Sequence, residues 1–84
     1  MVMYSNEELA GEARLDAKRV DALQILAVHL SAEILSVMEL EGLDKNKTYK
    51  AAYGHLKYAT CHLIEAERYL KTFADEIENE EDDD

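Results

Sequence analysis

Between Val20 and Leu40 the chain reads VDALQILAVHLSAEILSVMEL, and fourteen of these 21 positions are apolar. The run is too long for a strand and does not alternate with period two, so the pattern predicts a helix. One apolar line steps by three and four through Val20, Leu23, Ala27, Leu30, Ile34 and Val37. It extends back through Ala13 to Leu9, with Asp16 as the one polar interruption. A second line, Ile25, Val28, Ala32 and Leu35, lies on a different face. A surface helix normally carries a single apolar stripe, about 100° wide. This helix therefore needs cover on two sides. A membrane span would need roughly 18 or more nearly uncharged apolar residues. Asp21, Gln24, His29 and Glu33 interrupt the run, and charge at mid-membrane is costly. No membrane partner is expected.

The ends of this helix are marked. Ser5-Asn6-Glu7-Glu8 is a capping box, with Tyr4 and Leu9 placed for a hydrophobic staple. Met1–Tyr4 is expected to be a frayed lead-in. Gly42 is placed to take the left-handed conformation that ends a helix. The pattern thus predicts one helix over about 5–41. The alternative is a break near Gly11–Asp16, giving a three-helix monomer, because glycine weakens a helix interior.

Leu43-Asp44-Lys45 reads as a turn, with Asp44 or Asn46 capping a second helix over about 46–79. That helix repeats Tyr49, Ala52, Leu56, Ala59, Leu63, Ala66, Leu70, Phe73 and Ile77 at 3-4 spacing over four heptads. The spacing predicts the seam along which the two helices pack within the chain. A short turn makes them antiparallel neighbours. One stripe covers one stripe, so Ile25, Val28, Ala32 and Leu35 would stay in water. Leaving each large side chain exposed forgoes roughly 1.5–3 kcal/mol. The simplest closure is a second copy, with those four residues as the dimer interface of a four-helix bundle. The expected fold class is all-α: a long antiparallel hairpin that pairs as a homodimer.

Composition sharpens this picture. With 84 residues the chain makes one small domain. The absence of Pro and the presence of only three Gly favour long helices. The one cysteine, Cys61, excludes an internal disulfide. With no basic-then-apolar leader at the N-terminus, it points to a reducing, cytoplasmic setting. Net charge is −10, unevenly spread: residues 75–84 hold eight acids and no base, leaving 11 acids against nine bases elsewhere. The reading is a domain over 1–78 and an unstructured acidic tail over 79–84. Glu78, Glu80, Glu81, Asp82, Asp83 and Asp84 are the candidate residues for docking on a basic surface of another protein.

Candidate chemistry is thin. His29 and Glu33 are four apart, and His62 and Glu65 three apart. Carboxylate-bridged metal bundles use Glu-x-x-His on paired helices. Here the order is reversed and unrepeated, so no metal or other cofactor is expected, and a metal-binding bundle is a minor alternative. Glu33 is instead a candidate buried polar group, paired with His29 or across the dimer. Ser31 and Ser36 lack a Gly-rich elbow, and no motif for catalysis is present, so no enzyme activity is expected. Lys45, Lys47, Lys50 and Lys57 alternate with Tyr49, Tyr53 and Tyr58. The overall acidity opposes direct nucleic-acid binding. The expected function is a protein–protein interaction module. The alternative is an acidic inhibitor or decoy, of the mobile-element type, acting on a nucleic-acid-binding protein.

Overall fold

A computed structural model describes residues 4–82. Helix α1 spans Asn6–Leu40 and helix α2 spans Lys47–Asp82, joined by a short 3-10 turn at Leu43–Lys45. The two helices pack against each other as an antiparallel hairpin, 62 Å long and 21 by 18 Å across. Residues 1–3 of the expected lead-in Met1–Tyr4, and Asp83 and Asp84 of the acidic segment, lie outside the described residues.

The local signals act as their chemistry predicts. Ser5 Oγ accepts from the Glu8 amide at 3.1 Å, and Glu8 Oε1 accepts from the Ser5 amide at 3.4 Å, closing the capping box. Helix α1 runs through Gly11 without a break, so the three-helix alternative is not adopted. Gly42 has φ +65° and ψ 32°, in the left-handed region. Of the two candidate caps, Asn46 serves: its Oδ1 accepts from the Tyr49 amide at 3.0 Å. Helix α2 ends at Asp82 rather than near 79, so residues 79–82 continue the helix. A Cβ at Gly42 meets no atom within 4 Å, so only the backbone conformation resists substitution. Gly42→Ala is expected to cost about 1–2 kcal/mol, the left-handed penalty of an L-residue, read as a lowered thermal midpoint by circular dichroism.

The seam differs from the sequence reading in a regular way. On α2, Tyr49, Leu56, Leu63, Leu70 and Ile77 lie at the helix contact, half-buried or buried. Ala52, Ala59, Ala66 and Phe73 do not: all four are exposed. Their places are taken by Tyr53, Thr60, Glu67 and Ala74. On α1, Val20, Ala27 and Ile34 lie at the seam as expected, while Leu23, Leu30 and Val37 are exposed and Ala17, Gln24, Ser31 and Met38 stand in for their line. A three-residue step falls about 60° short of a full turn and a four-residue step passes it by about 40°. Both helices have turned toward the four-residue side.

The reason is visible at the open end of the hairpin. The expected line on α1 crosses Asp16, whose burial would strand a charge. The adopted line reads Ala10, Ala13, Ala17, Val20 without interruption. Ala10, Ala13, Ala74 and Ile77 form the buried cluster, with Leu9 and Leu70 packed against it. Small side chains let the helices approach closely here, and Ala74 is fully buried. Farther along, the adopted seam takes in polar groups. Ser31 and Thr60 hydroxyls donate to the carbonyls of Ala27 and Leu56 at 2.8 and 3.0 Å. Gln24 Oε1 and Glu67 Oε2 are buried and accept no hydrogen bond.

Candidate functional site

The rotated seam decides which surfaces are free. A short step moves a side chain to one side of the helix, and in an antiparallel pair that is the same side of the hairpin for both helices. Leu23, Leu30 and Val37 of α1 therefore share one flank with Ala52, Ala59, Ala66 and Phe73 of α2. Leu26 lies farther round the same side, and Leu26, Ala27, His29, Leu30, Glu33 and Leu56 line one shallow hollow. None of these flank positions is covered: Leu23 is 54% exposed, Leu26 64% and Phe73 42%.

The opposite flank holds the residues expected at the dimer interface. Ile25 and Val28 are about half exposed, Ala32 is exposed and Leu35 is half-buried. Helix α2 contributes Lys50, Lys57, Ile64 and Lys71 to this side. Val28, Ser31, Tyr53, Lys57 and Thr60 line a hollow there. The Lys57 ammonium sits 5.5 Å from the centre of the Tyr53 ring. Both flanks of α1 are thus apolar and uncovered; on α2 the Leu30 flank continues into Ala52, Ala59, Ala66 and Phe73, whereas the Val28 flank mixes Ile64 with lysines.

The acidic segment is partly consumed by the fold. Arg14 pairs with Asp75 at 3.0 Å and with Glu78. Glu78 is thus paired within the chain at the open end, and Glu80 is exposed. Glu81 and Asp82 lie within the described helix, and Asp83 and Asp84 lie beyond the described residues. The lysines at the start of α2 sit at the other end of the hairpin. Lys47 and Glu78 are 31 residues apart on one helix, about 47 Å at 1.5 Å per residue. Contact between that acidic segment and those lysines within one chain is ruled out for residues 78–82.

The other candidates do not gather. His29, Glu33, His55, His62 and Glu65 are all exposed, and Glu33 is not the buried group expected from its place in the apolar run. Among the described residues no three His, Cys, Asp or Glu side chains come together in a way that could hold a metal ion. Cys61 is exposed. Comparison with protein-family models, with curated proteins and with solved structures finds no match. Function must therefore be argued from the surfaces themselves. One further property bears on them: α1 is long and apolar enough to cross a membrane by length and composition alone.

The signal that marks the true seam was present in the sequence. Ala10, Ala13 and Ala17 sit at 3-4 spacing on the side away from Asp16. On α2, Ala74 stands beside Phe73, and the smaller residue takes the close contact. The ranking by hydrophobicity favours Phe73; the demand for close approach favours Ala74.

Proposed function

We propose that this chain is a non-enzymatic protein–protein interaction module. It pairs with a second copy into a four-helix bundle and uses its remaining surface to hold another protein. The observation that supports this reading is the uncovered apolar surface along α1, where Leu23, Ile25, Leu26, Val28 and Leu30 stay about half exposed or more. A chain of 9.6 kDa folded compactly exposes about 5,100 Å². This hairpin exposes 6653 Å². The excess, about 1,500 Å², exceeds the roughly 800 Å² that each partner gives to a standard interface. A cytoplasmic setting fits the exposed thiol of Cys61. Asp21, Gln24, His29 and Glu33 argue for a protein partner over a bilayer. Light scattering at micromolar concentration tests the reading: a mass near twice 9.6 kDa supports it, and a mass of 9.6 kDa across that range opposes it.

A second reading, an acidic inhibitor of a nucleic-acid-binding protein, draws on the acids at the open end. Its test must spare the fold. Ile77 is buried and Asp75 and Glu78 hold Arg14, so the truncation that isolates the acidic segment removes only 79–84. Under this second reading the truncated chain loses capture of basic partners, and capture by the full chain weakens steeply with salt. Under the first reading truncation leaves the mass and the capture of an apolar-face partner unchanged.

A further inference from the structure

The two flanks are not equivalent, and one of them is built to receive its own copy. Along the Leu30 flank, α1 presents a ridge of large side chains, Leu23, Leu30 and Val37, and α2 presents a groove of small ones, Ala66, Ala59 and Ala52. Arg14 reaches both Asp75 and Glu78, which fixes the register of the hairpin to within one turn. Counting along both helices from Arg14 and Asp75 places Leu30 level with Ala59, Leu23 with Ala66 and Val37 with Ala52. Ridge and groove therefore lie side by side at matching heights on one face. A two-fold interface requires a self-complementary patch, each element meeting the other in the mate.

From this we infer that a second copy docks on the Leu23–Leu30–Val37 flank, face to face, about a two-fold axis that runs along the hairpin. The leucine ridge of each protomer enters the alanine groove of its mate. This assignment rests on the self-pairing proposed above and moves its contact surface from Ile25, Val28, Ala32 and Leu35 to the other side of the hairpin. Three observations select the occupant and the face. The surface of the whole hairpin beyond that of a compact chain, about 1,500 Å², exceeds what one partner gives to a standard interface. No charged side chain lies between its ridge and groove, whereas the Val28 flank carries the exposed Lys50 and Lys57, whose burial in a symmetric contact would be costly. The same axis brings Glu33, exposed at one edge of the face, level with His55 of the partner subunit, exposed at the other.

The test is the solution mass of the full chain and four variants, with helix content followed by circular dichroism. Leu30→Asp and Val28→Asp alter side chains that are about half exposed, so the hairpin of each keeps its helices. The expected result is a dimer for wild type and Val28→Asp and a mass of 9.6 kDa for Leu30→Asp. Ala59→Leu fills the groove and is expected to weaken the dimer at least 100-fold. Adding Leu30→Ala to Ala59→Leu restores the complementarity and recovers the dimer. Dissociation by Val28→Asp with Leu30→Asp still dimeric overturns the assignment and leaves self-pairing intact. A monomeric wild type overturns both. Sedimentation with phosphatidylcholine vesicles closes the remaining outcome: a monomer that co-sediments would place a lipid surface on this flank instead.

Discussion

Replacing Ala74 by leucine is expected to lower the thermal midpoint by about 10–20 °C at fixed protein concentration. Ala74 is fully buried between the helices, against Ala10 and Ala13, which are themselves 1% and 6% exposed. Three added carbons there meet Ala10 and Ala13 on the facing helix, which have no rotamer to change. The helices must part, and the close contact that seals the open end is lost. Overpacking of a tight core costs about 1–3 kcal/mol, and in a domain of this size each kcal/mol moves the midpoint by about 4–8 °C. Phe73→Ala is the matching control. If Phe73 lay in the seam, its truncation would cost about 3–5 kcal/mol. At 42% exposed it does not, and the expected loss in the hairpin is below about 1 kcal/mol. A melt in which Phe73→Ala is the more damaging of the two would place the seam on the Ala52–Ala59–Ala66 line and refute the packing described here.

Glu67→Leu is expected to do the opposite and raise the midpoint by about 5–10 °C. Glu67 sits at the seam one turn from Leu63 and Leu70. Its Oε1 accepts from Lys71 at 3.3 Å, but its Oε2 is buried with no hydrogen bond. A carboxylate held in that way forgoes hydration without full return, and an apolar side chain of similar volume is often better by about 1–4 kcal/mol. The lower part of that range applies, because the side chain keeps 19% of its exposure and its partner is a solvated lysine. Gln24 Oε1 is buried without a partner on the facing helix. Two such groups at one seam weaken the hairpin where a clean heptad would hold it. Thermal melts of Glu67→Leu and wild type, at several concentrations, check the sign; a fall in midpoint would show that the carboxylate has a partner that stabilises it.

These two expectations are about stability, yet they bear on function. The open end is sealed by alanines and by Arg14 between two acids, while the half nearer the turn has only Met38 buried on α1. That half is where the leucines stand in water. A hairpin that spent its best residues on its own seam would have little left for a partner. This one seats Ala17, Gln24, Ser31, Thr60 and Glu67 among the larger residues of its seam and keeps Leu23, Leu26, Leu30 and Val37 outside.

Much of the architecture was legible in the sequence because it rests on local chemistry. The Ser5–Glu8 box, the left-handed Gly42 and the Asn46 cap each act within a few residues, so the neighbouring residues suffice to determine them. The helical period likewise requires only the chain itself. Which apolar line faces inward is a different kind of question. On each helix two lines share alternate positions and differ by one residue, Leu30 against Ser31, Phe73 against Ala74. Hydrophobicity counted along one helix favours Leu30 and Phe73. The choice belongs to the pair: Asp16 has to stay in water, and Ala10, Ala13 and Ala74 allow an approach that larger side chains forbid. The sequence by itself determined the two helices, their ends and their antiparallel order. Only the tertiary structure decided how each helix is turned, and hence which face is left for a partner, because close packing depends on the shapes of two surfaces at once.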